Sequence, residues 1–307
     1  MKLLLFGRDG QVGWELQRAL APLGEVVALN RNGNDDLCGD LADVKGIAQA
    51  VRRTRPDVIV NAAAYTAVDK AEAEPDLARA INVDAPAVLA SVAREQDAWL
   101  VHYSTDYVFD GSGNKPWHES DTARPLNVYG HTKLEGEEAI RHSGCVHLVL
   151  RTSWVHAARA RNFIRTMLRF ACERDSLQVI DDQFGAPTGA ELIADVTAHA
   201  LMSMSRNPAS GGLYHLAARG ETTWYGYARF LIDRARALGW PIRVQDDAVA
   251  GLASEAFAGA AARPRNSRLD CARLEHVFEL RMPAWQDGVD RVLAELATRQ
   301  ARGGQPG

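Results

Sequence analysis

An apolar run, Lys2-Leu-Leu-Leu-Phe6, breaks at Gly7-Arg-Asp-Gly10-Gln-Val-Gly13 into a stretch with apolar residues at Val12, Leu16, Ala19 and Leu20. The run reads as a fully buried strand, and the stretch that follows has the spacing of a helix. A strand that turns through glycines straight into a helix is the start of a βαβ unit. The alternation continues, with apolar strands expected at 25–30, 57–61, 98–104 and 146–151 and helical patterns near 44–53, 76–96 and 128–142. A further short strand is expected just before Gly39. Apolar strands alternating with helices predict an α/β fold, a Rossmann-type doubly wound parallel sheet with helices on both faces.

The second half is less regular. Helical patterns cover 162–173, 189–204, 224–238 and 285–298, with short strands near Gln178 and Tyr214, and an Ala-, Gly- and Pro-rich loop over 249–265. The expected division is a nucleotide-binding domain over 1–151 and a smaller C-terminal substrate-binding domain over most of 152–300. Some segments of the latter are free to return to the first sheet, and 301–307 form a flexible tail. The smaller part is expected to close over the carboxyl ends of the strands, where open α/β sheets bind ligands.

A net charge of −4 gives no general attraction to nucleic acid. The apolar run at 3–6 is too short for a signal-peptide core or a membrane span, so a cytoplasmic protein with neither a membrane nor a nucleic-acid partner is expected. Cys38, Cys145, Cys172 and Cys271 show no CxxC spacing and read as reduced thiols, and the histidines show no HxxxH spacing.

The glycine loop sits where a dinucleotide's pyrophosphate needs a tight turn, unobstructed backbone and the positive end of a helix. Gly7 and Gly10 supply the turn, and Gly13 lets the helix pack close to the strand. At the end of the second strand, NAD-specific proteins place an acid on the ribose 2′-hydroxyl. Here the position holds Asn30 followed by Arg31, which favours NADPH with NADH tolerated. Gly39-Asp40-Leu41 can set a carboxylate against the adenine, and Asn61-Ala-Ala-Ala-Tyr65 ends the next strand with small side chains beside the cofactor's path.

Tyr129-Gly-His-Thr-Lys133 begins a helix, so Tyr129 and Lys133 share one face, and Ser104-Thr105-Asp106 ends the strand before it. Ketone reduction needs a proton for the developing alkoxide, and a free tyrosine is a weak acid at neutral pH. A neighbouring ammonium is expected to lower its pKa, while Thr105 aligns the substrate oxygen.

At these residues the sequence resembles the extended short-chain dehydrogenase/reductase superfamily, and within it the dTDP-4-dehydrorhamnose reductases. The resemblance runs nearly the whole chain. It is carried by Gly7-Arg-Asp-Gly-Gln-Val-Gly-Trp-Glu-Leu16, Asn61-Ala-Ala-Ala-Tyr-Thr-Ala-Val-Asp-Lys-Ala-Glu72, Ser104-Thr-Asp-Tyr-Val-Phe-Asp-Gly111 and Tyr129-Gly-His-Thr-Lys133. Arg151-Thr-Ser-Trp154, Asp182-Gln-Phe-Gly-Ala-Pro-Thr-Gly189 and Arg263-Pro-Arg-Asn-Ser-Arg-Leu269 extend it. It implies reduction of the C4 keto group of a dTDP-linked 4-keto-6-deoxy sugar to dTDP-L-rhamnose, a precursor of cell-surface polysaccharide. It further implies that Tyr129 donates the proton, Lys133 holds the nicotinamide ribose, and Thr105 assists. By the same resemblance, Asp106 and Trp154 contact the sugar and Gln11 and Val12 join Gly10 on the pyrophosphate. Asp40 and Leu41 lie near adenine, with Ala63, Ala64, Tyr65 and Tyr103 along the cofactor.

The resemblance also implies a homodimer and leaves Mg2+ possible, with Glu15 and Glu191 as candidate carboxylates that otherwise read as solvated surface. Trp154 is suited to stacking on a deoxysugar. Arg263, Arg265 and Arg268 are suited to a substrate pyrophosphate, because guanidinium groups bind phosphate bidentately. Two alternatives remain open on sequence: a nucleotide-sugar epimerase or dehydratase that recycles tightly held NAD, and a non-catalytic regulatory subunit. Tyr107, standing where dehydratases carry an acid, disfavours elimination, and the intact Thr105, Tyr129 and Lys133 set disfavours a pure binding module.

Overall fold

The computed structural model describes residues 1–33, 36–256, 259 and 261–301. Strand β1 (Lys2–Phe6) passes through the glycine loop into α1 (Gln11–Leu20) and β2 (Glu25–Leu29). Next come α2 (Val44–Thr54), β3 (Val58–Asn61), two short helices α3 (Val68–Ala71) and α4 (Pro75–Arg79), and a π-helical turn at Ala80–Asp84. Then α5 (Ala85–Glu95), β4 (Trp99–Thr105), α6 (Val128–Ser143) and β5 (His147–Thr152) complete the first half. The second half holds β6 (Val155–His156), α7 (Phe163–Glu173), β7 (Leu177–Ile180), β8 (Phe184–Gly185), β9 (Thr188–Gly189), α8 (Ala190–Arg206), β10 (Gly212–His215), β11 (Thr222–Thr223) and α9 (Trp224–Ala237). It ends with β12 (Val249–Leu252), α10 (Ala272–Val277) and α11 (Trp285–Ala301).

The central sheet is parallel throughout, in the order β2-β1-β3-β4-β5-β10. Alternation along β1 shows why. Leu3 and Leu5 pack with Leu16 and Leu20 of α1, Ile193 and Leu201 of α8 and Leu274 of α10. Leu4 and Phe6 point the other way, onto Ile47 of α2, Leu89 of α5 and Ile140 of α6. Strands with both faces covered must be apolar at every position, and β1 is. A second core joins α7, α9 and α11 with β7 and β12 around Tyr227, Leu231 and Leu293.

The segment holding α8, β10 and α10 therefore returns from the second half of the chain to the first sheet. Strand order reverses at β1 and β3, and the crevice above such a reversal is where open α/β sheets bind ligands.

Two expectations change. Among the described residues no strand forms between β2 and α2; Gly39 instead packs against the Asn30 carbonyl, so close that a Cβ has no room. Within the expected loop at 249–265, Val249–Leu252 pairs with Leu177–Ile180 as β12: the pairing satisfies both main chains and buries Val249. The expected tail beyond 301 lies outside the described residues. All four cysteines are free thiols. Among the described residues no helix is long and apolar enough to cross a membrane.

Candidate active site

The glycine loop has the geometry of an anion cradle. Gly7 takes φ +85°, a left-handed conformation that L side chains rarely adopt, and its N–H donates to the Leu29 carbonyl. A Cβ on Gly13 would run into the Gly7 carbonyl, so α1 reaches this close to β1 only with glycine there. Helices α2, α6, α7 and α9 are capped by the side chains of Asp43, Asn127, Asn162 and Thr223. Helix α1 starts at Gly10 with no side-chain cap, as α3, α4, α5, α8 and α10 also do, but with glycine at its cap, no acid in its first turn and the left-handed Gly7 just before it. Its leading N–H groups are thereby left for a ligand's phosphates. Gln11 accepts a hydrogen bond from Asn162 at 2.8 Å, which ties this loop to the second half of the chain. Val12 packs partly against the core.

Beyond β2, Asn30 donates to Asp9 at 2.9 Å, and Arg31, three-quarters exposed, pairs with Asp40 at 3.3 Å. The guanidinium assigned to a 2′-phosphate and the carboxylate assigned to adenine thus face each other. Leu41 is buried with Phe6 and Ile47, so its side chain serves the core and leaves only its backbone to a nucleotide. Past β3, the Ala63 N–H donates to Asn61 Oδ1. Asn82, on the π-helical turn, accepts from the Tyr65 N–H and donates to the Tyr65 carbonyl and to Thr132 Oγ1. It holds the Ala63-Ala64-Tyr65 loop to α6. The Tyr65 hydroxyl bonds Glu74.

Tyr103 differs from expectation. Its ring lies in the core on the far face of the sheet, with its hydroxyl 2.8 Å from Thr197 Oγ1 on α8. It reaches the site through its carbonyl, which accepts from Lys133 Nζ at 2.6 Å.

Thr105 ends β4; its hydroxyl donates to Asp106 Oδ1 and accepts from the Tyr107 N–H, both at 3.1 Å, and it faces the Tyr129 phenol closely enough to influence it. Tyr107 meets Tyr129 edge to face, with ring centroids 5.7 Å apart. Burial pushes the Tyr129 phenol up to about 12, and the Thr105 hydrogen bond opposes that rise. The expected acidification of Tyr129 by Lys133 is not found: the lysine is not among the groups that shift it, because Nζ is turned toward Tyr103 and His102. At neutral pH Tyr129 is therefore a protonated phenol, the form a proton donor must have. Lys133 is 1% exposed and burial pulls it down to about 8, with Glu137 opposing. Glu137 is held by a buried two-pronged pair with Arg151, at 2.9 and 2.7 Å. Asp106 is buried too, which lifts its carboxyl to about 6 against the opposing effects of the Ser267 and Thr105 hydroxyls.

Trp154 sits at φ +47° and stacks on Trp224 with centroids 3.7 Å apart, while Gly185 leaves room for its indole edge. The three arginines of the 263–268 block each face a carboxylate: Arg263 with Asp69, Arg265 with Asp182 and Glu255, and Arg268 with Glu221. Arg268 also lies over the Phe184 ring. Glu15 and Glu191 lie on the packed helices α1 and α8 and pair with Arg18 and Arg291 respectively. Among the described residues no group of three or more His, Cys, Asp or Glu could hold a metal ion.

Sequence reasoning missed Asn82, His102 and Trp224. Only the odd polar His102 inside an apolar strand carried a signal.

Comparison with known proteins identifies the family. The family model described as RmlD substrate binding domain matches residues 1–298. The dTDP-4-dehydrorhamnose reductase of Escherichia coli K12 is 52% identical over 301 residues, covering 98% of this chain and all of that one. A crystal structure of a dTDP-4-dehydrorhamnose reductase from Clostridium acetobutylicum superposes with a TM-score of 0.85 at 31% identity, covering 96% of this chain and 99% of that one. The Bacillus anthracis enzyme in complex with NADP gives 0.84 at 30%, with the same coverage. By family match and full-length identity, the chain belongs to the RmlD substrate-binding-domain family, that of the dTDP-4-dehydrorhamnose reductases.

Proposed function

We propose that this chain is an NAD(P)H-dependent oxidoreductase that reduces the C4 keto group of dTDP-4-dehydro-β-L-rhamnose to dTDP-L-rhamnose, with NADPH the preferred donor. The observation that carries this reading is the placement of Tyr129 and Lys133, one turn apart on α6, against buried Thr105 at the carboxyl end of β4, with the glycine loop opening α1 in the same sheet.

NADPH, when bound, supplies a hydride to C4 of the sugar. The cradle fits its pyrophosphate because Gly7, Gly10 and Gly13 leave backbone N–H groups bare at the start of α1. Arg31 binds a 2′-phosphate by exchanging its partner Asp40. Lys133 donates to the nicotinamide ribose. Thr105 Oγ1 holds the substrate's C4 oxygen next to the Tyr129 hydroxyl. As the carbonyl carbon gains the hydride, its oxygen becomes an alkoxide and takes the Tyr129 proton. Burial of Thr105 and Lys133 excludes water from that side of the site and strengthens hydrogen bonds to the developing charge. Trp154 offers an aromatic edge to the deoxysugar, backed by Trp224. Asp106 contacts the sugar hydroxyls and Arg265 the substrate pyrophosphate.

In this reading the layer built on α7, α9 and α11 is the substrate-binding part, and the protein works in the cytoplasm as a homodimer. The test is to offer NADPH or NADH with freshly epimerised dTDP-4-dehydrorhamnose and follow loss of the reduced nicotinamide. Turnover with a free, exchangeable cofactor is expected. Purified protein carrying stoichiometric NAD and needing no added NADPH would move the reading to an epimerase or dehydratase.

A further inference from the structure

Behind Lys133 lies a buried chain of hydrogen-bonding groups that the reaction above does not use. Asn61 ends β3, His102 lies in β4 and Lys133 is on α6; all three are 1% exposed. Asn61 Nδ2 is 3.2 Å from His102 Nδ1, and His102 Nε2 is 3.1 Å from Lys133 Nζ.

The donors and acceptors in this chain can be assigned one by one. The Ala63 N–H can only donate, and it meets Asn61 Oδ1, so the amide's orientation is set by the backbone. Asn61 therefore presents its NH2 to His102, and an NH2 can only donate, so Nδ1 must accept. A neutral imidazole carries one ring proton, which is then on Nε2. Protonating both nitrogens is opposed first by burial, which holds His102 well below its ordinary range, and further by Lys133 whenever the lysine is charged. Nε2–H faces Nζ. An ammonium has no lone pair to accept it, whereas a neutral amine accepts from Nε2–H and still donates to the Tyr103 carbonyl.

We propose that Asn61 and His102 are positioning residues that set the protonation of Lys133, favouring its amine form so that charging the lysine requires His102 to change tautomer. Charging it adds one proton to Nζ and moves the ring proton from Nε2 to Nδ1. The Asn61 oxygen then turns to the ring, and the Ala63 N–H loses its acceptor. The charge of Lys133 is thereby tied to the Ala63-Ala64-Tyr65 loop beside the cofactor. The ionisable groups around Nζ are His102 on β4 and Glu137 on α6, with Arg151 of β5 behind Glu137 and Tyr129 one turn earlier on the same helix. Tyr103 offers only its carbonyl.

The inference rests on the reductase reading of Tyr129 and Lys133, and its test separates the two. Nitrogen NMR of the full chain with labelled histidine, above the pH where Lys133 titrates, reads the His102 tautomer without turnover. A protonated Nε2 and bare Nδ1 are expected; a protonated Nδ1 overturns the inference. Asn61→Asp offers acceptors to both Ala63 and Nδ1, so it should invert that tautomer. It should also move the alkaline limb of kcat/KM upward by about one to three pH units. His102→Gln, whose amide can turn either way, should raise the limb without adding a charge. An unmoved limb in a folded variant overturns the inference. Wild-type turnover alongside a protonated Nδ1 sinks this inference alone, whereas the expected tautomer without NADPH oxidation sinks the reductase reading.

Discussion

Arg31 and Asp40 form an exposed pair, and such pairs contribute only about 0–1 kcal/mol. A 2′-phosphate, with more charge and three acceptor oxygens, can displace Asp40 from the guanidinium at little cost. Arg31→Ala should therefore weaken NADPH about tenfold or more, the scale of one charge-assisted hydrogen bond. NADH should be nearly unaffected, and titration calorimetry with both dinucleotides checks this; equal losses would contradict the assignment. The residues readable from sequence at this scale were those whose chemistry is local, such as Tyr129 and Lys133 one helical turn apart. The side chains of Tyr103 and Leu41 were not, because whether they face the cofactor depends on which helix covers which face of the sheet. Strand alternation sets His102 and Tyr103 on opposite faces. Only the packing shows that α6 covers the His102 side. Asn82 was invisible because its partners, Tyr65 and Thr132, are distant in sequence and come together only through the π-helical turn.

Among the elements, the junction of β1 and α1 carries the cofactor site. Gly13→Ala would drive a Cβ into the Gly7 carbonyl, and backbone cannot yield as a side chain end can. Wild type should gain thermal stability on adding NADPH by mass action. Gly13→Ala should lose that gain and melt lower without ligand, as paired melting curves would show; a normal NADPH-dependent rise would contradict the cradle. The stacked Trp154 and Trp224 form the other functional junction. Aromatic pairs contribute about 0.5–1.5 kcal/mol beyond their burial. Trp224→Ala should thus raise KM for the ketosugar nucleotide about three- to tenfold, with a smaller effect on kcat; steady-state kinetics at saturating NADPH tests it. The first half was readable element by element because its strands are uniformly apolar and its helices have clear spacing. Strand β12 escaped because its sequence, Val249-Ala-Gly-Leu252, has little β-propensity and is held by pairing with β7.

At the scale of the whole molecule, three neutral histidines are buried among the described residues: His102, His156 at about 4 and His215 at about 3. Burial is the largest cause for each. Their folded values lie below the ordinary 6.5, so the unfolded chain takes up protons first as pH falls. Each histidine then costs about 1.4 kcal/mol of stability per pH unit, from near pH 6.5 down toward its folded value. Asp106, raised to about 6, works in the opposite direction between that value and its ordinary 3.8. Glu191, also raised by burial, works with Asp106, but the three histidines outweigh these two carboxyls, so the urea midpoint should fall clearly between pH 7.5 and pH 5; an unchanged midpoint would contradict the burial described. At this scale the sequence also left open which later segments rejoin the first sheet. The return of β10 depends on Tyr214 and Leu216 packing with α8 and α10, contacts made across long separations.

The account depends most on Tyr129 as the proton donor, and single-turnover hydride transfer in Tyr129→Phe tests that directly. The variant should bind NADPH as wild type does while transferring hydride to dTDP-4-dehydrorhamnose about 10²-fold or more slowly. Transfer at the wild-type rate would remove Tyr129 from the chemistry and contradict the account.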